Sequence, residues 1–137
     1  MLPLQHAGLW RGLSVLILIL VLLMALSPAM WLFDDRASAL AWFENVDKWL
    51  HAITFIVLSL WFTGLVEKRR WWLVAVGLML FGFMVEGGQL LVSYRTADWL
   101  DIGANTIGII VGLAVAAAGL GGWGLRVEHW YSQRRPI

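Results

Sequence analysis

Asp47 and His51 stand four residues apart in the stretch DKWLHAITF, and Glu86 and Gln89 stand three apart in GFMVEGGQLLV. A helix turns about 100° per residue, so each pair shares a helix face. An aspartate one turn before a histidine is placed to hold the imidazole tautomer and raise its basicity. A buried glutamate can act as proton donor or acceptor. With Asp101, these give four catalytic candidates: Asp47, His51, Glu86 and Asp101. Lys48, Gln89, Arg95, Asp98 and Asn105 are the ligand-binding candidates around them. Arg95 would meet a phosphate or carboxylate as a fork, Lys48 as a point charge. The same mixture of imidazole and carboxylate suits a divalent metal, with His51, Glu86 and Asp101 as candidate ligands beside Asp47. Zinc, manganese and magnesium all fit such a donor set. Water on such an ion could attack an ester or phosphodiester. No H-E-x-x-H or G-x-S-x-G motif and no arginine-lined phosphatase motif is present, so the scissile bond stays open. The chain has no cysteine, which excludes thiol catalysis and thiolate metal sites.

The elements that must carry these residues are apolar. Of 137 residues, 61% are hydrophobic and 14% charged, and the mean hydropathy is +0.77. Such a composition marks a membrane protein. The formal net charge of +1 argues against nucleic acid as a partner. Length points to a single domain over residues 1–137. A crossing helix needs roughly 20 mostly apolar residues. Four stretches meet that need, at about residues 13–33, 49–66, 71–92 and 102–120. Backbone groups in lipid must bond internally, so these are expected as helices. The connections DDRASALAWFENVDK, EKRR and SYRTADWLD are short, which predicts an all-α, up-down four-helix bundle. Residues 1–29 also bear some likeness to a cleaved signal peptide, but their apolar run is longer than a signal core.

Charge orients the bundle. Seven basic residues, Arg11, Lys68, Arg69, Arg70, Arg126, Arg134 and Arg135, fall on one side of four spans. That side is expected to be cytoplasmic, with both termini facing in, across a bacterial inner membrane. Asp34, Asp35, Glu44, Asp47, Asp98 and Asp101 fall on the other. The nine candidate site residues then converge from three helices at the outer end. Glu86 is the deepest, about 12 Å below the end of its helix, and His51 and Asn105 lie about 6 Å inward of Asp47 and Asp101. A carboxylate in hydrocarbon faces the bundle interior and seeks partners. The expected partners of Glu86 are His51, Gln89, Asn105 and Arg95. Gly108 and Gly112 follow Asn105 on one stripe and would let two helices approach closely. Gly87 and Gly88 would permit close approach or a kink.

Each residue also has a purely structural role to fill. Asp98 is an N-cap candidate for the fourth span, Asn105 an interhelical bridge, and His51 a packed polar group. Trp31, Trp42, Trp49 and Trp99 suit interfacial anchoring. Among functional roles, proton-coupled transport is disfavoured because four short helices leave little room for a path. An enzyme and a non-catalytic binder both fit. In either case the partner would be an amphiphile of the outer leaflet, such as a membrane lipid, a lipid-linked cell-wall precursor or a lipidated peptide. No protein partner is indicated.

The motifs DKWLHAITF, EGGQ and RTADWLDIGANTIGIIVG, taken in this order, resemble the VanZ-like family. The shared pattern is D-K-x-x-H-x-x-x-F, E-x-x-Q, then R-x-x-D-x-x-D-x-x-x-N-x-x-G-x-x-x-G, over residues 45–115. The resemblance implies a multi-pass membrane protein of the cell envelope. It also implies a link to resistance against the lipoglycopeptide antibiotic teicoplanin, with no defined reaction.

Overall fold

The computed structural model describes residues 1–27, 36–91 and 98–134, with residues 36–45 described as backbone. Among them all regular structure is helical. The elements are α1 (Ala7–Leu26), α2 (Arg36–Leu65), α3 (Trp71–Leu90), α4 (Trp99–Val115) and α5 (Trp123–Gln133). A single 3₁₀ turn, Lys68–Arg70, joins α2 to α3, and α4 runs on into a π-helical turn over Ala116–Leu120. Four segments are long and apolar enough to cross a membrane: Ala7–Leu26, Val46–Leu65, Lys68–Leu90 and Trp99–Leu120. Leu16, Ile19, Val57, Leu80 and Ile110 are among the many large apolar residues left exposed around this bundle. In water such a belt would drive association, whereas against lipid tails it is at home.

Three boundaries depart from the sequence expectation. The first helix begins at Ala7, ahead of the expected residue 13, and ends at Leu26, where Pro28 disfavours helical backbone before it; residues 28–33 of the expected span lie outside the described residues. The stretch from Arg36 to Lys48, expected as loop, is helical and continuous with the second span. It contains no glycine or proline to stop it. At about 1.5 Å per residue α2 measures about 45 Å, half as long again as a hydrocarbon core of about 30 Å. The tail also folds, as α5. The turn before it needs glycine: Gly119 has φ of 138° and Gly122 of 69°, a region costly for other residues. Arg126 donates to the Gly119 and Gly121 carbonyls at 3.0 and 3.3 Å, where cations suit a helix C-terminus.

The bundle is built around α2 and α4. A Cβ at Gly108 would collide with the Ala52 carbonyl oxygen and the Phe55 Cβ, and one at Gly112 would meet Ser59 and the Ile56 carbonyl. The expected close approach of these helices is therefore present along that stripe. α3 packs across the pair, with Phe55, Leu58, Val74, Leu78 and Ile109 forming the apolar core. Gly87 and Gly88 do not interrupt α3, although Gly88 gives Leu26 of α1 its seat. Helix α1 is peripheral: Ser14 is its one buried residue.

The basic end is tied by groups that periodicity did not reveal. Glu128 of α5 is 7% exposed and accepts from the Gln5 and His6 backbone N–H at 2.7 and 2.9 Å and from Trp10 Nε1 at 2.9 Å. It thus sits at the N-terminus of α1, where a negative charge is favoured. Burial pushes its carboxyl up, but the His6, Trp10 and Gln5 donors outweigh this and hold it below the ordinary range. Trp10, Trp61 and Trp123 cluster above it with ring centroids 5.2 to 5.9 Å apart. These three tryptophans serve the interior, while Trp49 and Trp99 are exposed as interfacial anchors would be. Trp31 and Trp42 fall outside the described side chains.

Two outcomes test this packing. Gly108→Ala should destabilise the protein in detergent by about 1–3 kcal/mol through overpacking. Gly103→Ala, with nothing near its added methyl, should be neutral or slightly stabilising; thermal unfolding measures both. Glu128 contributes stability at pH above about 4.5, which is lost as the pH falls through its lowered folded-state value. Glu128→Gln should therefore cost about 1.5–3 kcal/mol near neutrality and flatten the acid limb of a stability-versus-pH curve.

Candidate functional site

The end of the bundle opposite Glu128 holds the acid–base residues. Asp47 and His51 sit one turn apart on α2, and Asp101 and Asn105 one turn apart on α4. The glycine contact at Gly108 lies one turn further in, so the two helices are close where these four residues face each other. His51 Nδ1 lies 2.9 Å from Asn105 Oδ1. A carbonyl oxygen only accepts, so Nδ1 carries a proton, and in the neutral ring Nε2 is the nitrogen left with the lone pair. That lone pair faces two carboxylates: Asp47 Oδ1 at 3.9 Å and Asp101 Oδ2 at 4.0 Å. His51 and Asp101 are buried, and Asp47 is partly so. One donor atom from each of Asp47, His51 and Asp101 lies within 4.8 Å of the other two.

The tautomer is thus set by Asn105, where the sequence pointed to Asp47. Asp47 instead stands beside the opposite nitrogen, beyond hydrogen-bond distance. Asn105 bridges two helices, and it does so to the one histidine of the site.

Glu86 comes from α3 and is 4% exposed, so it turns inward as the cost of a carboxylate in lipid requires. It lies near enough to Asp101 and His51 for their charges to act on it. Among the described residues neither of its oxygens has a hydrogen-bond partner, so the expected bonds to His51, Gln89 and Asn105 do not form. The Asp98 backbone N–H is directed toward it without completing a good bond. Asp101 Oδ1 and Asn105 Nδ2 are likewise buried and unpartnered among the described residues. Gly82, one turn before Glu86, packs against Asn105 and Phe55 and lets α3 close over the pair. Its signal was present in the sequence as a small residue on the Glu86 stripe.

The remaining candidates divide. Lys48 Nζ pairs with Asp98 Oδ2 at 3.2 Å at a half-exposed rim. Asp98 also caps α4, its Oδ1 accepting from the Leu100 N–H at 2.9 Å. That backbone bond and then the Lys48 ammonium hold its carboxyl below the ordinary range, so it stays ionised. Gln89 is buried and donates to the Ala25 carbonyl at 3.1 Å, fastening the end of α1 to α3 beside the site. Arg95 lies outside the described residues. A cavity of about 400 Å³ lies at the opposite end, among Leu18, Phe62, Arg70, Val74, Leu78 and Phe81; apart from Arg70 these residues are apolar.

The fold and the site together define a multi-pass membrane protein with four candidate spans and a buried acid–base cluster at one end. The family model for VanZ/LLP1 matches residues 13–120, and the chain belongs to that family. Comparison with curated proteins and with solved structures returned no match.

Removing the Asn105 carbonyl should release the imidazole. In Asn105→Ala, nitrogen-15 NMR of labelled histidine should show the His51 Nδ1–H form giving way to a tautomer mixture. Leaving Nδ1–H unpaired should also cost about 1–3 kcal/mol in thermal unfolding.

Proposed function

We propose that this chain is a membrane-embedded enzyme that acts on an amphiphile of the cell envelope at headgroup depth. The observation that carries this reading is His51 Nε2, its lone pair freed by Asn105 and flanked by the carboxylates of Asp47 and Asp101. An imidazole so placed takes a proton from an attacking hydroxyl or water, and the two carboxylates stabilise the imidazolium that forms. Glu86, buried and without a hydrogen-bond partner, is placed to exchange a proton with the leaving group. Stability alone is a weak reason for this arrangement, because buried ionisable clusters rarely stabilise a fold.

The position of the site selects the substrate class. The excess of basic residues at the Glu128 end supports a cytoplasmic position for that end by the positive-inside rule. The cluster then lies under the outer headgroups of the inner membrane. A phospholipid, a lipid-linked cell-wall precursor or a lipoglycopeptide such as teicoplanin would present its polar part there. Lys48 and Asp98, paired at the rim, are the groups an anionic headgroup would meet first, with Arg95 following in the sequence pattern.

The test uses His51→Ala and Glu86→Gln in cells and in purified form. Turnover should fall by about 10²–10⁴-fold in His51→Ala. Comparison of envelope lipids and of teicoplanin sensitivity with wild type should show a product species missing in both variants, with folded protein still present in the membrane. Loss of amphiphile binding with no lipid species changed would establish the non-catalytic alternative, a binding protein for an outer-leaflet lipid or lipoglycopeptide.

A further inference from the structure

We infer that Asp47, His51 and Asp101 bind one divalent transition-metal ion, zinc or manganese, with Glu86 closing the site from α3. The inference rests on the reading of this cluster as a reaction centre but gives His51 a different part: with Nε2 on an ion, proton transfer would fall to Glu86 and the ion would acidify the attacking water, so the inference is tested by metal content and not by turnover.

Three independent features point to a cation. The first is the donor geometry. The His51 nitrogen stands 3.9 and 4.0 Å from one oxygen of each aspartate. Donors around an ion at about 2.0–2.2 Å stand about 3–3.5 Å apart. These two edges therefore have to shorten by about 0.5–1 Å, and the third, between the two aspartates, starts within 4.8 Å. The donors come from the facing ends of two helices locked together at Gly108, so they are held near that size in advance.

The second feature is the far side of the imidazole. A histidine that ligates through one nitrogen almost always donates its other N–H to a carbonyl or carboxylate. Asn105 Oδ1 accepts from Nδ1 at 2.9 Å. This leaves Nε2 as a lone pair aimed between two carboxylates, as a ligand must be.

The third is the charge left over. Glu86 is 4% exposed, lies within the electrostatic reach of Asp101 and His51, and has both oxygens unpartnered among the described residues. Asp101 Oδ1 is buried and unpartnered as well. The nearby Lys48 ammonium is engaged with Asp98 at the rim. Carboxylates gathered around one imidazole at low dielectric repel one another, and a divalent cation held among them relieves that repulsion where a proton otherwise would. Oxygen donors with one imidazole and no sulfur favour zinc or manganese over copper(I) or an iron–sulfur cluster.

The experiment takes the untagged full-length protein in detergent, strips it with a chelator, and returns Zn²⁺ or Mn²⁺ as the chloride. Elemental analysis after gel filtration should give one equivalent of one of these ions. The thermal midpoint should rise with the ion's concentration, as ligand binding to the folded state requires. Asp101→Asn, nearly isosteric, should weaken binding at least tenfold and abolish the rise. If that variant does not fold, Mn²⁺ bound to wild-type protein labelled with nitrogen-15 histidine gives the same answer by its hyperfine coupling to one imidazole. Folded wild-type protein that retains neither ion, or binding unchanged by Asp101→Asn, or no histidine coupling, would overturn the inference. The two readings separate cleanly. Metal bound without any lipid product removes the enzymatic reading and keeps the metal site. Folded protein that forms a product yet takes up neither ion does the reverse.

Discussion

The contact between α2 and α4 at Gly108 and Gly112 is the constraint on which the rest depends. Without a side chain at either position, the backbone of α4 comes to rest against the Ala52 and Ile56 carbonyls of α2. In lipid there is no hydrophobic force to bring helices together, so dispersion over such a close seam has to do it. The seam begins one turn beyond Asn105 and reaches about two turns beyond it, and this fixes both the spacing and the rotation of the helices where His51 meets Asn105. A single bond of 2.9 Å between those residues then settles which imidazole nitrogen carries the proton. Packing thus reaches chemistry in two steps, through a glycine and an amide.

α3 is placed by the same logic. Gly82 admits it to the pair, and Leu78, Val85, Glu86 and Gln89 follow on its buried face. The two polar residues there do different work. Gln89 is consumed in holding the Ala25 carbonyl, which anchors an α1 that otherwise buries almost nothing. Glu86 is left without a neutral partner. A bundle selected for stability alone would put an apolar side chain there, since an unsatisfied buried group costs about 1–3 kcal/mol, and more when charged.

The two ends of the molecule differ in kind. At the basic end, Glu128 has three donors, one of them the Trp10 indole, so its charge is compensated and its role structural. At the acidic end, Asp98 is compensated by Lys48 and the Leu100 N–H, but the buried pair Asp101 and Glu86 is not. Unequal satisfaction of otherwise similar carboxylates is what separates a latch from a site.

Much of this was written in local patterns. Apolar length determined four membrane-spanning helices, because each crossing is a property of one contiguous segment. Helical spacing determined that Asp47 shares a face with His51, Glu86 with Gln89, and Asp101 with Asn105, Gly108 and Gly112. Asp98 before an apolar helix was recognisable as a cap. The tertiary structure decided what no period encodes, namely the offset and rotation of one helix against another. Those choices gave the Nδ1 bond to Asn105 and not to Asp47, turned Gln89 from the site to α1, and left Glu86 unpaired. They also joined Glu128 to residues more than a hundred positions away, across a gap where sequence spacing carries no information. The helical extension of α2 back to Arg36 escaped for the opposite reason: its charged and polar residues obscure a helix that nothing in the local backbone chemistry interrupts.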